Sequence, residues 1–222
     1  RKSRDVLYRR DGTVEAGLVC RGKTMAETVS TDVLERAIAH LQTRTPAPSA
    51  TDLVTELLAL EKQSKRAKQR YRYSQLLGTW RLGFTTGTVK TRKHAGTVLG
   101  AGRFLPKVVN IQLCYEATDL EAGQGKADNS VGLGALRLQL SGPTQYWPQT
   151  NSLAFDFTHL RVSVGGFQLY QQPIRGGAER AATFFTETLK GQAFFSYFLV
   201  TPTCLAARGR GGGLALWTRL QP

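Results

Sequence analysis

The period of the apolar residues changes once along this chain, at Leu77, and no other feature constrains the fold as much. Upstream, Val33, Leu34, Ala37, Ile38 and Leu41 recur at helical spacing, with Ser30, Thr31 and Asp32 as candidate N-caps, which predicts a helix over 28–42. The prolines of 43–48 end it. A second helix is expected from Ser49 or Thr51, with Leu53, Leu57, Leu58 and Leu60 as its apolar stripe. Its C-terminal half, read as 62–72, is basic and complements the negative end of the helix dipole.

Downstream the repeat is two. Trp80, Leu82 and Phe84 alternate, as do Ile111, Leu113 and Tyr115, then Leu136, Leu138 and Leu140 within 131–140. Leu153, Phe155 and Phe157 follow, then Leu160, Val162 and Val164, with further strands over 167–171, 193–200, 203–208 and 213–220. Gly, Pro, Asn and Asp punctuate them. About eight antiparallel strands with one apolar face predict a barrel. The expected class is mainly β (α+β): a flexible extension over 1–27, a helical segment over 28–76 packed on the barrel, and the barrel over 77–222. A short amphipathic helix is expected over 179–190, with Phe184, Phe185 and Leu189 on one side.

Charge narrows the partners. The formal net charge is +14, and the stretch from Lys62 to Tyr115 holds twelve Lys and Arg and no Asp or Glu. Such a block seeks an anionic surface, whether nucleic acid, acidic lipid or an acidic protein face; the plain alternative is a solvated basic face. Lys62, Lys65, Arg66, Lys68, Arg70 and Arg72 are the candidate docking residues. No apolar run reaches the length of a membrane span, so membrane contact is expected to be peripheral. Cys20, Cys114 and Cys204 form neither a CxxC pair nor a disulfide framework and fit a reducing compartment. Met25 is the only methionine, so residues 1–24 read as an upstream extension or processed leader.

Catalytic signatures are missing. The chain has no G-x-S-x-G elbow, Walker A loop or HExxH pair, and no cofactor or metal is implied. Asp156 and His159, three apart near a strand end, read as surface or turn residues rather than an acid–base pair. The glycine run between Arg208 and Gly213 reads as a hairpin tip, with an RNA contact as the sharper alternative. Tyr71 and Tyr73, interleaved with Arg70, are the other nucleic-acid candidates, but stacking platforms usually sit on sheet faces, and nucleic acid ranks last among the partners.

Two motifs carry a resemblance. Leu77-Gly78-Thr79-Trp80-Arg81-Leu82-Gly83-Phe84-Thr85-Thr86 is similar to the G-x-W opening of lipocalin-like barrels, and to that of the plastid-lipid-associated (fibrillin) family. The run from Thr203 to Arg219 is similar to that family's closing hairpin, in which an arginine-bearing strand and a glycine turn precede a last apolar strand ending in arginine. The resemblance covers roughly residues 30–220. It implies a lipocalin-like barrel and a peripheral, non-catalytic protein of thylakoids or plastid lipid globules that handles lipids, quinones or carotenoids. The composition suits a cyanobacterial member, on the cytoplasmic or stromal face of the thylakoid.

In a closed barrel the first and last strands meet, so Trp80, with Gly78, is expected beside Arg219 or Arg208, a guanidinium over an indole closing one end. Phe84, Ile111, Leu113, Leu138, Phe155, Phe157 and Phe195 are the candidate cavity residues; plain core is the alternative at each. Two functions lead: a binder of hydrophobic small molecules at an anionic thylakoid surface, or an assembly factor with a filled barrel docking on acidic faces of photosynthetic complexes. A catalytic lipocalin-like enzyme comes third.

Overall fold

The computed structural model describes residues 25–43, 45–87 and 102–220. Residues 1–24, and with them the leader reading and Cys20, lie outside the described residues, as do Lys90, Arg92, Lys93 and His94. Helix α1 (Met25–Gln42) starts three residues before the expected 28. Helix α2 (Ala50–Arg66) is capped by Ser49, whose Oγ accepts the Asp52 N–H at 3.4 Å. It stops at Arg66, six residues short of the expected end, because Lys68 turns the chain with φ +49°.

The strands are β1 (Gly78–Thr85), β2 (Arg103–Phe104), β3 (Val109–Asp119), β4 (Gln124–Leu133) and β5 (Leu136–Trp147). They continue with β6 (Ser152–Phe155), β7 (His159–Val164) and β8 (Phe167–Pro173). Helix α3 (Gly177–Phe184) precedes β9 (Ala193–Val200), β10 (Cys204–Gly209) and β11 (Leu214–Arg219). The hydrogen-bonded order β4-β3-β1-β11-β10-β9-β6-β5 closes through β4–β5 pairing into an eight-stranded antiparallel barrel. Closure removes the free edges that an open sheet would expose.

Three expectations are corrected. The expected strand over 131–140 is a hairpin: Gly134, at φ +59°, turns β4 into β5. Strand β4 lacks an apolar alternation along most of its length, and so carried no strand signal. The helix expected over 179–190 spans Gly177–Phe184, with a separate single 3-10 turn at Leu189–Gly191.

The third correction is one of phase. A bulge in β1 shifts the register against β11 between Leu82 and Phe84. Trp80 and Leu82 stay in the barrel, but Gly83 and Phe84 face α1 and α2. A one-residue slip sends every later side chain to the other face. Phe84 therefore packs with Val33, Ala37, Leu53, Leu57 and Leu216 under the helices, not on a cavity. A Cβ on Gly83 would come 2.4 Å from Leu41 of α1, so glycine lets the helix approach.

Strand β5 is long enough to change partners. Residues 144–147 pair with β6 inside the ring, while 136–141 pair with β7. The β7–β8 hairpin thus leaves the ring as a flap continuing the inner face of β4 and β5 beyond the barrel, and the open end there is the mouth of the barrel.

Candidate functional site

One end of the barrel is plugged by side chains. Trp80 is fully buried and its Nε1–H donates to the Leu76 carbonyl at 2.7 Å. Arg219 lies over its indole with Cζ 3.9 Å from the ring centroid. Gly78 leaves the space that Arg219 occupies, since a Cβ there would sit 2.6 Å from Nη1. Arg208, the other candidate for this position, lies elsewhere. It points outward, bonding both Glu61 carboxylate oxygens on α2 and donating to the Gly212 carbonyl at 2.7 Å. Arg208 and Arg219 are eleven positions apart on paired strands, and opposite faces separate them.

Above the plug the interior is aromatic and polar. Tyr73 stacks on Tyr146 at 5.6 Å and bonds Thr144 at 3.1 Å. The Tyr115 and Tyr197 hydroxyls meet at 2.8 Å, both buried. Burial pushes the Tyr115 and Tyr197 phenols up, and Tyr146 up to about 12, so all three stay protonated at neutral pH. Tyr73 is buried, and the half-buried Tyr71 donates its hydroxyl to the Phe198 carbonyl at 2.8 Å.

Toward the mouth lies a cavity of about 90 Å³. It is lined by Ile111, Leu113, Phe155, Phe157 and Phe195, all expected cavity residues, together with Leu82, Trp217 and Asn129. Phe155 stacks against Phe195 at 5.1 Å, and Phe195 meets Trp217 edge-on at 5.2 Å. Asn129 is its one polar side chain, and its Oδ1 is buried without a hydrogen-bond partner. Leu138 does not line the cavity. It stands farther out on β5, registered with Val131 and Val162. The last strand is apolar on both faces, so its sequence does not single out Trp217, and β4 lacks the alternation that would single out Asn129.

Register extends this apolar face past the barrel. Ile111, Val131, Leu138, Val162 and Tyr170 form one cross-strand row over five strands, and Val109, Leu133, Leu136, Val164 and Phe167 form the next, at the tip. Cross-strand partners share a face. Exposure rises outward, to 46% at Leu136 and 78% at Phe167.

The opposite face of the same strands is polar. A groove of about 660 Å³ there is lined by Arg137, Arg161, Asn110, Gln139, Ser163 and Gln168, with glycines at the hairpin tips. A second outer groove, of about 530 Å³, lies between β3–β5 and the α3 region, with Glu116, Asp128, His159 and Phe185 on its walls. In it His159 Nδ1 meets Thr158 Oγ1 at 3.0 Å and not Asp156. Asp156 is buried, not at the surface, and is held by Arg180 at 2.6 Å and Arg175 at 3.3 Å, so it does not orient His159 as an acid–base partner. The hydrogen bonds that Arg180 donates to Glu187 and then to Asp156 raise its pKa further. Among the described residues no group of three or more His, Cys, Asp or Glu could hold a metal ion.

The candidate docking residues sit on the outside. Lys62, Lys65 and Arg66 end α2, with Lys65 bonded to Glu61 at 2.7 Å; Lys68, Arg70 and Arg72 follow in the chain leading to Tyr73, and all six are exposed. Arg81 and Lys107 lie beside the end of α1, where Lys107 Nζ donates to the Thr43 carbonyl at 2.8 Å. Strands β10 and β11 separate Arg81, on β1, from the β9 side, where Tyr71 anchors the α2 tail.

Fold and site together define a mainly-β protein with a closed eight-stranded antiparallel barrel, three α-helices among the described residues, one plugged end and one apolar mouth. No helix among the described residues is long and apolar enough to cross a membrane. No protein-family model matches the chain, and no curated protein does either.

Proposed function

We propose that this protein binds a hydrophobic small molecule (a lipid, quinone or carotenoid) in the mouth of its barrel, without catalysis, at an anionic photosynthetic membrane. The observation that carries this reading is the convergence of Ile111, Leu113, Phe155, Phe157 and Phe195 on one cavity, next to an apolar sheet face that grows more exposed toward its tip. Pockets for whole small molecules run to about 300–1,000 Å³. A cavity of about 90 Å³ takes only the end of such a molecule, and the remainder would lie along the rows holding Leu138 and Val162. The Gly78-x-Trp80 opening with Arg219 over the indole supports a lipocalin-like barrel of the plastid-lipid-associated kind, and the thylakoid location is proposed on that likeness.

The small cavity and the tyrosine-filled interior favour one other reading, a filled scaffold docking on acidic faces of photosynthetic complexes. Native mass spectrometry of the protein incubated with quinones, carotenoids and membrane lipids separates them. A retained apolar ligand that quenches Trp217, and is lost in Leu113→Trp, is the expected result. An empty barrel under saturating ligand would leave the scaffold reading standing.

A further inference from the structure

Seven of the ten large hydrophobic side chains exposed among the described residues lie at the mouth end: Leu133, Leu136, Val164, Phe167 and Tyr170 on the inner face, Val108 on the groove side and Leu169 at the β8 bulge. Four of them, Leu133, Leu136, Val164 and Phe167, form one unbroken cross-strand row at the very tip. An apolar patch of this extent marks an interaction site. Its surroundings say of what kind. The segments 102–113, 129–141 and 159–173, which build this end, contain no Asp or Glu. Arg103, Lys107, Arg137 and Arg161 are all exposed there, and the two last share the polar groove behind the row. The nearest acids are otherwise engaged: Asp128 accepts from Gln139 Nε2 at 2.8 Å, and Asp156 is held by two arginines.

We infer that the mouth is a membrane-contact surface: the row Leu133–Leu136–Val164–Phe167 enters an anionic bilayer, and the groove of Arg137 and Arg161 behind it takes the headgroup of an anionic lipid. Charge selects this occupant. A second copy would bring the same cations face to face, whereas an anionic interface supplies their counter-charge. The two contributions act together, since neither a few cations nor a few apolar side chains hold a protein on a bilayer alone. Arginine suits the groove because its planar fork donates to two phosphate oxygens at once. The inference deepens the membrane part of the proposed function by naming its contact surface, and moves that contact from the α2 tail to the mouth. It stands whether or not the cavity holds a ligand.

Co-sedimentation of the full chain with phosphatidylcholine vesicles, with and without phosphatidylglycerol, tests it. Wild type should bind the anionic vesicles and release in high salt. Leu136→Ser/Phe167→Ser and Arg137→Glu/Arg161→Glu should each weaken that binding about tenfold or more. Lys62→Glu/Arg66→Glu/Lys68→Glu/Arg70→Glu should change it less than either. Both mouth variants alter exposed side chains, and unchanged melting temperatures confirm that they fold. Phe167→Trp adds a positive signal, an emission shift to the blue on anionic vesicles. Absent wild-type binding, loss confined to the α2-tail variant, or an unshifted Phe167→Trp emission would overturn the inference. So would a dimer dissolved by Leu136→Ser/Phe167→Ser with vesicle binding unchanged, or capture of soluble glycerophosphate without vesicle retention. Ligand capture measured on the same variants reports separately on the cavity.

Discussion

Arg219 and Trp80 close the barrel as a pair: the guanidinium lies 3.9 Å over the indole while its Nε and Nη1 donate to the carbonyls of Pro202 at 2.7 Å and Leu77 at 3.0 Å. One side chain thus ties the first strand, the segment before it and the β9–β10 turn to the last strand. Arg219→Met should cost about 2–4 kcal/mol, from two charge-assisted hydrogen bonds and the cation–π contact. Trp80→Ala should cost about 3–5 kcal/mol. In urea unfolding the double variant should fall short of the sum of the two. Strict additivity would show that Arg219 acts through the carbonyls alone.

Glu61 and Arg208 fasten α2 to the β10–β11 hairpin. The Arg208 hydrogen bond holds the Glu61 carboxyl below its ordinary range, against the opposing effect of burial. The folded group is a stronger acid than the unfolded one, so its stabilisation is present above the ordinary Glu value near about 4.3 and is lost as pH falls through and below it. Glu61→Gln should therefore lower stability by about 2 kcal/mol at pH near 7 and by much less at pH near 3. Denaturant unfolding at both pH values checks this; an equal loss at both would assign the effect to packing.

Tyr115 and Tyr197 satisfy each other in the barrel interior. Tyr197→Phe leaves the Tyr115 hydroxyl without its partner and should cost about 1–3 kcal/mol, whereas changing both to Phe should cost less than either alone. Raised phenol pKa values add a pH consequence. The folded groups stay protonated where unfolded tyrosines ionise, so this stability is full below about pH 10 and drains as pH rises beyond it. The double Phe variant should lose less stability between pH near 9 and pH near 11 than wild type.

Asn129 presents a buried, unpartnered oxygen to an otherwise apolar cavity. Asn129→Leu should raise stability of the empty protein by about 1 kcal/mol, because an unsatisfied acceptor is costly to bury. Any preference for a long-chain alcohol over the matching alkane should disappear in the variant, read by Trp217 quenching. A destabilised variant would mean that water already satisfies the amide.

Much of the fold was written in local order. The two-residue period of 108–117 and 153–157 marks one face of each strand, which is why Ile111, Leu113 and Phe155 could be gathered from sequence alone. Phe84 could not, since the β1 bulge that reverses its face arises from pairing with β11, which alternation does not reveal. Nor could β4, whose inward Ala127 and Gly125 are small because Tyr73 packs over them: a Cβ on Gly125 would lie 2.1 Å from the Tyr73 hydroxyl.

By itself the sequence determined the class, two helices and then antiparallel strands, because periodicity reports which face of an element is dry. It also set the charge, and the glycine, indole and arginine needed to close a barrel. Tertiary structure alone decided which arginine meets Trp80, because Arg208 and Arg219 lie on opposite faces of paired strands and only three-dimensional register distinguishes them. The mouth was decided there too: β5 exchanges β6 for β7 midway, and that switch of partners turns ordinary alternating strands into an apolar sheet face left open beyond the ring.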